Sequence, residues 1–256
     1  MIKELTPGTV VLVGGGPGDP DLLTVAGLRA IGQADVILYD HLAPNDALAD
    51  ARPDAELIPV GKWPRGKYTP QEEISRLLVE HARAGRRVVR LKGGDNFVFG
   101  RGGEEWRACA AAGVPVEVIP GVSSAVAAPG LAGIPVTHRT VSQGFTVVSG
   151  HVPPGDPRST IDWAALAGAH TTIVILMGVK YLPQISATLT DAGLDPATPA
   201  AVVMAACMPG SRTLRGTVAD IADLAAAEGV TPPAITVIGG VAALDWAHEA
   251  PAGVST

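Results

Sequence analysis

The sequence predicts an α/β protein of two domains, each a sheet flanked by helices. Three observations predict it. Short apolar runs of the buried-strand type alternate with helical periodicities as far as residue 120, which argues a parallel sheet with helices on its faces. A passage rich in turn-forming residues follows, at Pro120-Gly121 and over residues 130–139. A second, similar series of strand and helix patterns then begins. The division is placed at residue 120, giving domains 1–120 and 121–256.

Residues 9–14 form the first apolar run, and Gly14-Gly15-Gly16-Pro17-Gly18-Asp19-Pro20 follows it as a loop. Leu22, Val25, Leu28, Arg29 and Ile31 then recur at helical spacing. Strands are expected over 36–39, ending at Asp40, and over 56–60, ending at Gly61-Lys62. The clearest helix starts at Thr69, read as its cap, with Pro70 in the first position and Glu72 three residues after the cap. Its buried stripe is Ile74, Leu77, Leu78 and His81, and Gly85 stops it. A strand over 87–91 opens into Lys92-Gly93-Gly94-Asp95, followed by a helix over 104–112 and a strand over 115–119. In the second half, strands are expected over 145–149, 171–177, 200–205 and 234–238, with 212–215 as an edge strand. Helices are expected over 182–189 and 218–227, with a short one near Trp246. Residues 151–160 read as a polar, Pro-rich surface loop.

Composition narrows the function classes. The 256 residues are enough for a full core in one large or two smaller domains. With 19 Lys and Arg against 25 Asp and Glu, the net charge of −6 disfavours non-specific nucleic-acid binding, so no nucleic-acid partner is expected. Only Cys109 and Cys207 are present, which excludes a disulfide scaffold or cysteine-rich metal site and suits a reducing cytosol. The N-terminus carries no basic-then-apolar leader, and no apolar stretch has the length of a membrane span. A cytoplasmic protein without a membrane partner is expected. The six histidines show no pair at ligand spacing with a carboxylate between, so no metal is expected.

Gly14-x-Gly16 after a first strand, with Asp40 closing the second, invites a dinucleotide reading. The details oppose it. Asp19 stands where a third glycine belongs and would set a negative charge near a pyrophosphate. Pro17 has no N–H to donate to phosphate oxygens. A ligand-free structural turn is one alternative. A loop admitting a ligand that lacks phosphate is the other, because Gly and Pro permit close approach.

Val13-Gly14-Gly15-Gly16-Pro17-Gly18-Asp19-Pro20-Asp21-Leu22-Leu23-Thr24 is one of several motifs that occur in a telling order. After it come Tyr39-Asp40-His41-Leu42, Val60-Gly61-Lys62, Gln71-Glu72-Glu73-Ile74, and the long run from Val88 through Lys92-Gly93-Gly94-Asp95 to Arg101-Gly102. Pro120-Gly121-Val122-Ser123-Ser124-Ala125, Gly133-Ile134-Pro135-Val136-Thr137-His138-Arg139, Ser149-Gly150-His151 and Met177-Gly178-Val179 follow, and the likeness continues through Arg212, Gly216 and Pro232-Pro233-Ala234. Together these motifs resemble the uroporphyrinogen-III C-methyltransferases, a branch of the tetrapyrrole methylase family.

The resemblance implies the two-domain tetrapyrrole methylase fold, a homodimer, and a site for S-adenosyl-L-methionine (SAM) in the cleft between the domains. It implies methylation of uroporphyrinogen III at C2 and C7, by way of precorrin-1, to precorrin-2, with S-adenosyl-L-homocysteine as the other product. Precorrin-2 feeds siroheme and cobalamin biosynthesis. The family's cofactor contacts fall on Pro17, Gly93, Gly94, Asp95, Val98, Ser123, Ser124, Met177 and Ala206. Each also has a plainer reading. Gly93-Gly94 suits an ordinary turn and Asp95 an Asx turn, Ser123 and Ser124 suit helix caps, and Met177 suits core packing.

Asp40 and Lys62 match the positions credited with proton acceptor and donor roles. A carboxylate there can stabilise the cationic macrocycle or help remove a proton, and Lys62 can equally hold a substrate carboxylate. An octacarboxylate also demands a local basic rim on an acidic protein, for which Lys62, Arg65, Lys67, Arg101 and Arg139 are the candidates. Solvated surface charge is the alternative for each.

The chain departs from the family pattern at Asn96, in place of Pro, at Ser123, in place of Thr, at Met204 with Ala205-Ala206-Cys207, and mildly at Gly144-Phe145. The third departure puts the Ala206 assignment in question. A later precorrin methyltransferase and a non-catalytic SAM or tetrapyrrole binder are the rival readings. Relatives often carry a fused second activity. With the chain ending at Thr256, precorrin-2 oxidation and iron insertion are expected to need other proteins.

Overall fold

The computed structural model describes residues 4–61 and 69–244. Lys62, Arg65 and Lys67, and the helix expected near Trp246, lie outside the described residues. The chain divides into two compact units between Ser124 and Ala125.

The first unit is a five-stranded sheet of β1 (Val10–Gly14), β2 (Val36–Asp40), β3 (Glu56–Val60), β4 (Val88–Lys92) and β5 (Val116–Ile119), in the order β3-β2-β4-β1-β5. All its pairings are parallel, as the alternation of strand and helix patterns predicts. Successive residues of each strand face opposite sides. Val11, Val13, Ile37, Val89 and Leu91 therefore pack on one side with Ala30 and Ile31 of α1 (Val25–Ile31). Val10, Leu12, Val36, Leu38 and Val88 pack on the other, under Ile74, Leu78 and Ala82 of α2 (Gln71–Arg83) and Cys109 of α3 (Gly102–Ala111).

Two local expectations shift. Helix α2 begins one residue later than expected: Pro70 is its cap and makes no side-chain bond, while the Thr69 N–H donates to the Gly61 carbonyl. Its buried stripe is Ile74, Leu78 and Ala82; His81 lies at the boundary, 3.0 Å from Arg86 through Nδ1. On α1 the buried residues are Gly27, Ala30 and Ile31, so Val25 and Leu28 are exposed.

The second unit has β6 (Phe145–Ser149), β7 (Thr172–Leu176), β8 (Pro199–Met204), β9 (Arg212–Thr217) and β10 (Ala234–Ile238), in the order β6-β7-β10-β8-β9. It is not a repeat of the first sheet. Only β6 and β7 pair in parallel; β10 runs antiparallel to β7 and β8, and β9 antiparallel to β8. Strand β9 holds the edge, as expected. One side packs on α5 (Trp163–Gly168), α6 (Leu182–Asp191) and α7 (Ile221–Ala227). The other packs on Ala125 and Ala128 of α4 (Ser124–Leu131) and on Val241 and Ala242. Helix α4 occupies part of what reads as passage. Pro129 and Gly130 weaken its helical signal, but burial of Ala125, Ala128 and Pro129 outweighs local propensity.

Candidate active site

In a parallel sheet the C-terminal strand ends share one edge, and in open α/β sheets that edge is where ligands bind. The first unit brings Gly14 to Pro17, Asp40, Gly61, Lys92 to Asp95 and Pro120-Gly121 to that edge.

The glycines there serve backbone packing. The Gly15 N–H donates to the Lys92 carbonyl at 2.7 Å, and Gly16 and Gly94 exchange two N–H···O bonds of 3.1 and 2.6 Å. A Cβ on Gly14 would stand 2.4 Å from the Gly121 nitrogen, one on Gly121 2.3 Å from the Gly94 oxygen, and one on Gly93 2.6 Å from the Leu42 oxygen. Donors already given to protein carbonyls cannot also cradle a phosphate, so Gly15 and Gly16 weigh against the dinucleotide alternative on geometric grounds. Asp19 instead caps the short 3-10 turn Pro20–Leu22, accepting from the Asp21 N–H at 2.9 Å.

Asp95 adopts the Asx-turn geometry that stood as its plainer reading. Its Oδ1 accepts from Phe97 N–H (2.9 Å) and Val98 N–H (3.3 Å), and its Oδ2 from Gly121 N–H (3.2 Å). It thereby ties the loop after β4 to the loop after β5. Asn96 is fully buried, and its amide donates to the Leu12 and Ile119 carbonyls at 3.2 and 2.9 Å. Val98 is exposed. Arg101 is left-handed (φ 58°), exposed, and paired with Glu104 at 2.7 Å. Ser124 opens α4 and Ser123 immediately precedes it.

A buried ionic network lies beneath Asp40. The face of the sheet under α2 and α3 is apolar except at Arg90, in mid-strand level with Leu12 and Leu38, and at Asp40 and Lys92, which end β2 and β4. Glu105 of α3 is fully buried between the two cations, with Arg90 Nε and Lys92 Nζ each 2.9 Å from its Oε1. Gln71 of α2 donates to the same oxygen at 3.2 Å. Arg90 also gives Nη2 to Asp40 Oδ1 at 2.5 Å and Nη1 to the Leu91 and Leu38 carbonyls.

Burial pushes the Glu105 carboxyl upward, but Arg90 and Lys92 outweigh it and hold it below its ordinary value. Burial, reinforced by Arg90, pulls Lys92 down. Burial opposes the charge on Arg90 as well, but Asp40 and Glu105 hold it above its ordinary value. Burial, with Glu105 close by, pushes the Cys109 thiol up to about 11, which makes it an inert packing residue.

Arg90 and Lys92 carry a signal that the sequence reading passed over. Two cations at alternate positions of an otherwise apolar strand require a buried acid. Nothing in sequence separates Glu105 from its exposed neighbour Glu104; the rotation of α3 decides which faces the sheet.

In the second unit, β6, β7 and β8 run the same way, so Ser149 at the end of β6, and Met177 and Ala205 just past β7 and β8, lie at one edge. Three non-glycine residues there are left-handed: Met177 (φ 58°), Ala205 (φ 49°) and Cys207 (φ 63°). Such conformations are unfavourable for side chains bearing a Cβ and cluster at functional sites. Met177 is 47% exposed, so core packing does not account for it. Ala206 is half-buried beside the core that contains Val203 and Ile235. Arg139 is exposed, and no acidic side chain pairs with it among the described residues.

These features define a two-sheet α/β protein with a strand-end carboxylate set on a buried arginine and a glycine loop whose first N–H groups are given to its own backbone. The family Tetrapyrrole (Corrin/Porphyrin) Methylases matches residues 9–222, and the chain belongs to that family. It is 48% identical over 236 residues to the uroporphyrinogen-III C-methyltransferase of Methanocaldococcus jannaschii, covering 91% of this chain and 96% of that protein. It is 49% identical over 242 residues to the siroheme synthase of Neisseria meningitidis serogroup B, covering 94% of this chain and 49% of the synthase. The chain thus spans about half the length of the siroheme synthases it matches. The crystal structure of the uroporphyrin-III C-methyl transferase of Thermus thermophilus complexed with S-adenyl homocysteine superimposes with a TM-score of 0.76, at 42% identity, covering 91% of this chain and 98% of that one. Among the described residues, no helix is long and apolar enough to cross a membrane.

Proposed function

We propose that this chain transfers methyl groups from SAM to uroporphyrinogen III, at C2 and C7, yielding precorrin-2 by way of precorrin-1. The observation that carries this reading is the match to the Methanocaldococcus enzyme along almost the full length of both chains. The Thermus relative crystallised with S-adenyl homocysteine supports the choice of donor. Precorrin-2 is a precursor for both siroheme and cobalamin, and the siroheme synthase relatives fit the first of these.

The strand-end chemistry fits such a donor. SAM carries no phosphate, and Gly15 and Gly16 offer none of their N–H groups to one. Pro17, Gly93, Gly94, Asp95, Val98, Ser123 and Ser124 of the first unit, with Met177 and Ala206 of the second, are the proposed contacts. In this reading Asp95 acts through the backbone it orders, and Met177 through an exposed side chain on a strained backbone. Bound SAM supplies an electrophilic methyl group on a sulfonium, and no metal takes part.

Asp40 is the proposed acceptor. Its Oδ1 is fixed by Arg90, and Oδ2 has no hydrogen bond among the described residues. That oxygen is available to stabilise the cationic macrocycle or to accept its proton. Lys62 is the proposed donor. The octacarboxylate is held by the rim of Lys62, Arg65, Lys67, Arg101 and Arg139. A chain with only two cysteines, Cys109 and Cys207, suits the cytoplasmic location that goes with this reading. The working form is a homodimer, for which light scattering should give twice 26.0 kDa.

The test is anaerobic turnover with SAM in the presence of chelator, with products resolved by mass and precorrin-4 offered in parallel. Limiting SAM should give a monomethyl species that excess SAM converts to the dimethyl product. Products that never exceed one added methyl, or methylation of precorrin-4 alone, would overturn the reading.

A further inference from the structure

We propose that Glu105 and Lys92 are positioning residues that act through Arg90 to set the charge state and orientation of the Asp40 carboxylate. The inference rests on the reading of Asp40 as the acceptor in methyl transfer and adds to it the groups that tune that acceptor.

The geometry is that of a closed relay with one open end. Arg90, Lys92 and Glu105 are 2%, 3% and 0% exposed, whereas Asp40 is 28% exposed. Every terminal nitrogen of Arg90 has an acceptor, so the guanidinium plane cannot turn: Nε on Glu105, Nη1 on two carbonyls, Nη2 on Asp40. Fixing that plane fixes Asp40 Oδ1. Two cations and two carboxylates make the cluster neutral, and its balance depends on both Glu105 and Lys92.

Stability alone does not explain such a cluster. Buried ion networks lose much of their attraction to desolvation, and apolar residues of similar volume often serve as well. The same face is otherwise filled by Leu12, Leu38, Val88, Ile74 and Leu78. Arg90 stands in mid-strand, level with Leu12 and Leu38, and its guanidinium reaches Asp40 at the end of β2, the one member of the cluster that meets solvent.

Among the described residues, the neighbourhood of Asp40 contains few other charges. From β4, Arg90 pairs with it and Lys92 acts on it through charge, while Glu105 of α3 pairs with these two cations, and Glu104 and the Cys109 thiol lie close to the same cluster. Helix α2 contributes the neutral Gln71, and β3 contributes Val60 beside Asp40. His41 follows Asp40 in the chain, and Lys62, Arg65 and Lys67 follow β3 in sequence outside the described residues.

The sign of each perturbation follows from charge. Glu105→Gln leaves the cluster with one excess positive charge, so Asp40 should bind its proton less tightly and titrate at lower pH. Lys92→Met leaves one excess negative charge, so Asp40 should titrate at higher pH. The double variant restores neutrality and should return the midpoint toward the wild-type value. A general loss of packing does not produce shifts of opposite sign.

The experiment is a carbon-13 NMR titration of carboxyl-labelled aspartate in the wild type and the three variants, with the Asp40 signal assigned by its loss in Asp40→Asn. Folding is checked by near-ultraviolet circular dichroism. Opposite shifts in the single variants and their cancellation in the double variant support the proposal. Should Glu105→Gln fail to fold, Lys92→Met decides by itself, and an unchanged Asp40 midpoint in that variant overturns the proposal. Steady-state kinetics then adds a second readout: Glu105→Gln should lower kcat about tenfold with SAM KM nearly unchanged, and its acid limb should move with the NMR midpoint. The titration needs no substrate. A wild type that fails to methylate uroporphyrinogen III would count against the proposed function, whereas immobile midpoints count against the relay.

Discussion

Asn96 shows what one substitution against a family pattern does physically. In place of the proline that the family resemblance leads one to expect, this chain places a buried amide that donates to the Leu12 carbonyl in the middle of β1 and the Ile119 carbonyl at the end of β5. A proline fixes the loop through its ring, whereas Asn96 fixes it through two hydrogen bonds and leaves its own Oδ1 without a partner among the described residues. Removing the amide leaves the loop untied and a small void behind. Asn96→Ala should therefore cost about 2–3 kcal/mol. Urea unfolding reads this directly, and a loss under about 0.5 kcal/mol would show that the two bonds are unimportant. Met177 is the converse case: an exposed side chain retained on a left-handed backbone that glycine would adopt without strain. The side chain, rather than the turn, has to account for that residue.

At the level of elements, charges join what strand pairing alone would leave loose. Asp35, just before β2, accepts from the Arg87 guanidinium at 2.6 Å and from Arg52 at 2.7 Å, and also from the Arg87 N–H at 2.8 Å. It thus binds the start of β2 to the start of β4 and to the turn before β3. The Arg87 hydrogen bond holds the Asp35 carboxyl well below the usual carboxylate range, against the opposing effect of burial, with Arg52 adding to it. A depressed folded-state pKa contributes stability above the unfolded value, and that stability is lost as pH falls toward the folded one. Asp35→Asn should then cost about 1–2 kcal/mol at pH 7, discounted for partial exposure. The gap between variant and wild type should begin to close below about pH 4. Thermal melts across pH 2.5–7 would check it, and a gap that stays constant to the acid end would refute the assignment. The glycines of the strand-end loops act at the same scale. Gly14, Gly94 and Gly121 stack backbone on backbone, so the loops after β1, β4 and β5 hold one another in place.

For the molecule as a whole, net charge and substrate charge oppose each other. A protein of net charge −6 is proposed to bind an octacarboxylate, so attraction has to come from a local rim. Among the described candidates, Arg101 already shares its charge with Glu104, whereas Arg139 is exposed and has no acidic partner among the described residues. Arg139→Ala and Arg101→Ala should each raise the KM for uroporphyrinogen III more than Arg65→Ala does, with SAM affinity little changed. The effect of Arg139 should weaken as ionic strength rises. Kinetics at two salt concentrations, beside SAM calorimetry, separates the outcomes. Unchanged substrate kinetics in all three variants would remove the rim, and lost SAM binding would assign these arginines to the cofactor.

The strand positions, the all-parallel first sheet and the family were legible in the sequence, because each rests on local information. Period-two and helical patterning, turn residues and ordered motifs do not depend on distant partners. The edge position of β9 followed in the same way from a short, polar extended segment. What the sequence left open depends on which residues meet across the fold. Strand direction in the second unit is decided by the crossing of β10 between β7 and β8, and a strand's own pattern is the same in either direction. The N–H groups of the glycine loop likewise find their acceptors far along the chain, at Lys92 and Gly94. Glu105 and Glu104 are adjacent and chemically identical. Only the seating of α3 on β4 buries one against Arg90 and Lys92 and leaves the other beside Arg101, because burial and charge pairing are properties of a packed interface and not of a residue.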